Sequence, residues 1–250
     1  SRFFRQSCIF IHSDSGIETP QDLKGKRIGV PEYQMTAAVW ARGTLSDDYD
    51  VRAEDIEWVQ GGLEDPGRLP FEPVEPTGIR LSFAPTGRSL AQMLAAGEIH
   101  ALITARTPST FNPVQSTVCR LFQEPWKVER DYFNRTGIFP IMHTVSVRQE
   151  ILEEHPWVAA TLMKAFSDAK DLAIADLTQT SALPLTLPFL TEHAHETVEA
   201  MGEDFWPYGL EANRKTLETF VRYMNEQGMI GHQMPIEDLF APSTHRTFRI

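Results

Sequence analysis

The stretch GIETPQDLKGKRIGVPEYQMTAAVWARGTL, residues 16–45, decides the fold. Thr19 followed by Pro20 predicts the start of a short helix. A threonine hydroxyl caps free amides, and proline suits the first helical position, where an N–H would be unpaired anyway. Lys24-Gly25-Lys26 turns into a strand over 27–30, and 31–34 is a loop. Residues 35–45 read as a helix. Working outward, 7–12 (SCIFIH) is a buried type of strand, followed by a turn at Asp14-Ser15-Gly16. Further strands are expected at 56–60, 80–83 and 100–104. A helix over 89–96 carries Leu90, Met93 and Leu94 at helical spacing and stops at Gly97. Residues 63–78, rich in Pro, Gly and Glu, read as a surface loop. Strands alternating with helices imply a parallel or mixed sheet covered by helices.

From Pro125 the character changes. A helix over 126–135 leads into an apolar strand over 139–147, and beyond it the chain is nearly all helix. Those helices are expected at 156–177 (long and amphipathic), 192–201, 210–227 and 235–240. Strands at 7–12 and 139–147 bracket a self-contained α/β unit. Two such crossings suit a two-lobed protein whose first lobe is discontinuous. The expected lobes are 14–138, and 1–13 together with 139–250. A ligand is then expected in the cleft, where strand order reverses. The later helices need a sheet to pack on, which predicts that N-terminal strands of the first lobe are missing from this chain. It starts Ser1-Arg2-Phe3-Phe4-Arg5, without an initiator methionine.

The 250 residues are 42% hydrophobic and 23% charged, a globular balance. No run approaches the roughly 18 apolar residues of a membrane span. A net charge of −11 argues against nucleic acid and against anionic membrane surfaces as partners. It leaves room for a small anion held by local arginines, which number 17 against 6 lysines. A GC-rich genome would give the same ratio. Cys8 and Cys119 sit in apolar runs and read as free core thiols, and no Cys-x-x-Cys pair offers a zinc site. In EHAHE (192–196) the two histidines are two residues apart and do not share a helix face, so no metal site is assigned. The oligomeric state stays open, a homo-oligomer included.

Residues 16–33 resemble the second-lobe entry of type II periplasmic binding proteins. Together with SRFFRQSCIFIH (1–12), GVPEYQMTAAVWARG (29–43), IEWVQGG (56–62), RTGIFPIMHT (135–144) and DFWPYGLEANRKTLETF (204–220), the chain resembles the 4,5-dihydroxyphthalate decarboxylase group. The resemblance implies a type II periplasmic-binding-protein-like α/β fold. It also implies a carboxy-lyase without an organic cofactor, acting in the cytoplasm on a small aromatic dicarboxylate. A periplasmic setting is the alternative if a leader precedes these residues. The same fold also serves solute capture without turnover, in transporters of the ABC type. A regulatory ligand-binding domain is the third reading, although no DNA-binding element is visible.

Such a lyase needs its carboxylates held, a ring hydroxyl polarised and a proton delivered to the carbon that loses CO2. Loop 32–36 precedes a helix N-terminus, so its amides are candidates for a carboxylate cradle. Tyr33, Gln34, Met35 and Thr36 are assigned there, with Gln34 and Thr36 as side-chain donors. A plain strand-to-helix turn explains the same residues. Arg106 follows the strand over 100–104 and is the expected bidentate clamp, or a surface loop arginine. His143, inside the apolar run 139–144, is the expected general acid/base, with burial tuning its pKa. The alternative is a core histidine bonded to a backbone carbonyl. Of Arg2 and Arg5, alternation turns one to the cleft and the other to solvent. Arg135 is a weaker clamp that also suits a helix C-terminus. Trp206 and Tyr208 would wall the ring pocket, or simply pack between helices.

Overall fold

A computed structural model describes residues 1–70, 72–114 and 117–245. The chain forms two compact units. The first comprises Ser1–Asp131, Phe139–Met142 and Thr219–Gln233, and the second Tyr132–Ile138, His143–Glu218 and Met234–Ile250.

The first unit is built on six strands: β1 (Ile9–His12), β2 (Arg27–Val30), β3 (Glu57–Gln60), β4 (Arg80–Phe83), β5 (Ala101–Ile103) and β6 (Val118–Arg120). Their order is β4-β3-β2-β5-β1-β6. Strands β2 to β5 run parallel, while β1 is antiparallel to both of its neighbours. The expected capped turn is present at Pro20–Leu23, with Asp22 Oδ2 accepting from the Thr19 N–H at 2.8 Å. Helix α1 (Thr36–Tyr49) follows β2, and α2 (Leu90–Ala95) follows β4. Alternation sorts the strand side chains onto two faces. Ile9, Ile11, Ile28, Val30, Ala101 and Ile103 pack with Ala38, Ala41 and Leu45 of α1. Phe10, Val59, Leu102 and Val118 pack with Leu90, Met93 and Leu94 of α2. Each Ile, Val, Leu, Phe or Met side chain so withdrawn from water contributes about 1.5–3 kcal/mol.

Several elements differ from expectation. Strand β1 sits inside the sheet between β5 and β6, so residues 1–13 fall in one unit with 14–131, and only 139–142 and 219–233 of the later chain join them. The short strand β6 completes that edge. It lies within a run whose apolar character was evident but whose three paired residues carry no readable period. The strand expected over 139–147 is one antiparallel bridge, Arg2 to Ile141, flanked by Phe3 N–H to Pro140 O and Met142 N–H to Ser1 O. Pro140 has no N–H to extend the pairing, and 143–147 carries no ladder.

Helix α3 (Pro125–Thr136) leads from the first unit into the second, which also holds α4 (Gln149–Glu154), α5 (Val158–Asp176) and α6 (Leu190–Met201). Helix α5 packs on α4 and on residues 242–244, yet buries only Ala159 fully and leaves Leu172 72% exposed. Helix α7 (Arg214–Glu226) returns to the first unit, where Phe220 and Tyr223 pack on Trp40 of α1. Among the described residues no helix is long and apolar enough to cross a membrane.

Candidate active site

The parallel strands set where a ligand can bind. From β2 the chain runs outward through β3 and β4, then returns to β5 on the other side of β2. That reversal opens a crevice at the carboxyl edge between the loops after β2 and β5. Because β1 is antiparallel, its start lies at the same edge, with Ile9 opposite Ile103. β6 ends there too, where the Leu121 N–H reaches Ile9 O. The edge therefore gathers residues 31–36, 60–62, 104–106, 5–8 and 120–121.

The loop after β2 is held by buried polar groups. The Tyr33 N–H donates to Gln60 Oε1 at 2.7 Å. Arg42 Nη2 donates to Tyr33 O at 2.6 Å, and Gln34 Nε2 to Glu72 O at 2.6 Å. No side chain caps the first turn of α1, and that turn contains no acidic residue. Its leading amides keep their positive end for an anion. Thr36 and Met35 are half-buried there. Tyr33 differs from its assigned place in the cradle. Its side chain is fully buried, its hydroxyl donates to Gln227 O at 3.1 Å, and burial pushes its pKa up. Its backbone is buried as well, with the N–H held by Gln60 and the carbonyl by Arg42.

Arg106 is exposed just past β5, with its N–H on Thr104 Oγ1 at 3.4 Å. Its guanidinium makes no ion pair among the described residues. Arg2 and Arg5, expected to divide between cleft and solvent, are both only 8% exposed. Residues Gln6–Cys8 form a 3₁₀ turn, so the alternation assumed for them does not apply. Arg2 donates to Phe139 O at 2.9 Å and lies over the Phe139 ring. Arg5 donates to Met142 Sδ at 3.0 Å and Cys8 Sγ at 3.5 Å.

In the second unit, His143 is exposed and lies outside any strand, not buried in one. Arg135 is exposed in the last turn of α3, 5.9 Å from the Tyr132 ring centre, and complements the helix C-terminus. Trp206 is half-buried and Tyr208 is 37% exposed beneath Lys170 Nζ. Asn213 holds their turn by donating to Pro207 O and Gly209 O.

Four polar residues of the first unit escaped the sequence reading: Gln6, Arg42, Arg120 and Glu129. Arg42 had a visible signal, a charge inside the apolar run AAVWARG. Glu129 accepts the Ser7 N–H at 3.0 Å. Burial raises its pKa, more than the Ser7 bonds and the charges of Arg120 and Arg5 lower it. Both cysteines are free thiols. No group of three His, Cys, Asp or Glu side chains able to hold a metal occurs among the described residues.

A mixed six-stranded sheet covered by helices, with its strand order reversing beside β2, defines an α/β protein of the periplasmic-binding-protein type. The NMT1/THI5 like family model matches residues 5–65, which include β1 to β3 and the cradle loop. The 4,5-dihydroxyphthalate decarboxylase of Comamonas testosteroni is 42% identical over 251 residues, covering 100% of this chain and 76% of that protein. The 4,5-dihydroxyphthalate decarboxylase of Pseudomonas putida is 44% identical over 134 residues, 53% of this chain and 52% of that protein. The chain belongs to the 4,5-dihydroxyphthalate decarboxylase family.

Proposed function

We propose that this chain is a carboxy-lyase that removes one carboxylate from a hydroxylated aromatic dicarboxylate such as 4,5-dihydroxyphthalate. Identity along the whole chain to a protein of that activity carries the reading. The carboxyl edge of the first unit supports it, with the uncapped start of α1 on one side of the strand-order reversal and the unpaired Arg106 on the other.

The chemistry is a proton-for-CO2 exchange at one ring carbon. The hydroxyl para to the departing carboxylate pushes electron density onto that carbon, which takes a proton. The C–C bond then breaks, its electrons return to the ring, and CO2 leaves. Thr36, Gln34 and Arg106 are assigned to carboxylate binding, and His143 is proposed on chemical grounds as the proton donor. Arg135, Trp206 and Tyr208 of the second unit stay as candidate contacts, and a cytoplasmic setting is part of the same proposal.

The test is incubation with 4,5-dihydroxyphthalate, following CO2 and 3,4-dihydroxybenzoate. Turnover is expected; tight binding without product would instead identify a solute-binding protein. His143→Asn is expected to lower kcat about 10²-fold or more, as loss of a general acid does. An unchanged rate would remove His143 from the mechanism and leave the lyase standing.

A further inference from the structure

Ahead of β1 two side chains are buried without adequate partners. Arg5 is 8% and Gln6 3% exposed. The Arg5 guanidinium donates to two sulfur atoms, Met142 Sδ and Cys8 Sγ, and lies 5.0 Å from the Phe3 ring centre. Thioether and thiol are weak acceptors, and Arg5 has no ion pair among the described residues. Gln6 Oε1 accepts the Arg5 N–H at 3.1 Å, while its Nε2 is buried with no hydrogen-bond partner. Buried donors normally find oxygen acceptors, and a buried cation normally finds an anion.

The two residues line a crevice of about 170 Å³, open space included, together with Ala41, Thr44, Leu45, Tyr49 and Phe122. In this conformation it is too thin for a water molecule, so solvent does not serve these donors. Arg5 and Gln6 lack oxygen acceptors, and the rest of the lining is apolar and aromatic apart from the Thr44 and Tyr49 hydroxyls. The ligand that answers both is an aryl carboxylate, admitted when the Tyr49 and Phe122 rings, 5.7 Å apart, separate.

We propose that Arg5 and Gln6 form a carboxylate subsite that holds the substrate carboxyl group retained through the reaction. This rests on the lyase reading and deepens it. A departing carboxylate becomes neutral CO2, so a strong ion pair to it would stabilise the ground state more than the transition state. A buried guanidinium pairs strongly because its surroundings screen little. Its place is therefore on the group that keeps its charge.

Phthalate, which lacks the ring hydroxyls, serves as a binding probe, measured by calorimetry beside turnover of 4,5-dihydroxyphthalate. Arg5→Met should weaken phthalate binding at least tenfold, with a matching rise in KM. Gln6→Glu supplies the missing acceptor from within the chain. It should weaken phthalate binding comparably while raising Tm, which a merely damaged fold would not do. The subsite is overturned if wild type does not bind phthalate, if both variants keep wild-type affinity, or if Gln6→Glu lowers Tm. Phthalate binding that depends on Arg5, without turnover by wild type, would retain the anion subsite and remove the lyase reading.

Discussion

Arg42 is the buried cation on which the cradle loop depends, and Arg42→Met tests that dependence. Arg42 is 2% exposed; Nε donates to Gln227 Oε1 at 2.7 Å and Nη2 to Tyr33 O at 2.6 Å. The guanidinium stacks 3.8 Å from the Tyr33 ring centre and 5.2 Å from that of Trp58. Two opposing effects set the outcome. Burial lowers its pKa to about 10, so it stays charged at neutral pH. At 1.36 kcal/mol per unit, methionine would relieve about 3 kcal/mol. Against that, two charge-assisted bonds contribute about 1.5–3 kcal/mol each, and the stacking about 1 kcal/mol more. Their loss also leaves Gln227 Oε1 and Tyr33 O without this donor. The bonds win by about 2 kcal/mol, which lowers Tm by roughly 4–8 °C at this chain length. Thermal unfolding followed by circular dichroism measures it. The double variant Arg42→Met with Gln227→Met should lose less than the sum of the singles, because the orphaned acceptor is gone. An unchanged or raised Tm for Arg42→Met would show that desolvation outweighs the bonds and that the loop does not need this residue.

Gly43→Ala should destabilise the first unit by about 1–2 kcal/mol in urea unfolding, since the new Cβ would overlap the Tyr223 ring; that overlap outweighs the ~1 kcal/mol of helix propensity that alanine gains. Glu129→Gln should change the pH dependence of Tm. The raised pKa of Glu129 means its contribution is present below its ordinary value of 4.5 and lost as pH rises through the folded value, so the variant should gain on wild type from pH 4 to pH 7. A constant difference would refute that assignment. Arg106→Gln should raise KM about tenfold with little change in Tm, because its guanidinium is exposed and unpaired; a Tm loss without a KM effect would make it a structural residue.

What the sequence revealed followed from local signals. Thr19-Pro20 and the turn at Lys24-Gly25-Lys26 act within a few residues, and the short turn at Pro20–Leu23 and the strand at Arg27–Val30 are where they were expected. Strand β6 depends on pairing with β1, more than a hundred residues away, and three residues cannot show a period. Along 138–142 burial alternates, with Ile138, Pro140 and Met142 inside, yet pairing stops at the Arg2–Ile141 bridge and His143 turns to the surface. Alternation failed at Arg2 and Arg5 because a 3₁₀ turn separates them from β1. The edge that gathers the candidate clamps was legible through Arg106 and 32–36, since a residue after a strand must lie at that strand's end. The buried donor Gln6 was not, because burial of a polar side chain is fixed by tertiary contacts and leaves no spacing; Arg42 stood out only as a charge inside an apolar run.

The two edge arginines differ in a way that separates catalysis from capture. A protein that only captures a dicarboxylate gains from gripping both carboxyl groups equally. An enzyme that grips them equally lowers KM and leaves kcat unchanged. Arg5 is buried among sulfur and aromatic groups, while Arg106 lies in solvent at the same sheet edge. On the proposed assignment water screens Arg106, so that losing its anion as CO2 would cost little, whereas the buried Arg5 would keep a full charge partner in the retained carboxylate. The asymmetry predicts how salt acts. Raising ionic strength should weaken the contribution of Arg106 to KM and leave that of Arg5 nearly intact. Measuring KM for wild type, Arg106→Gln and Arg5→Met at about 0.05 M and 0.5 M salt checks it. The Arg106→Gln effect should shrink at high salt and the Arg5→Met effect should persist. Equal attenuation of both would mean that the two guanidinium groups meet the substrate in the same solvent-screened setting, and the division of labour between them would fall.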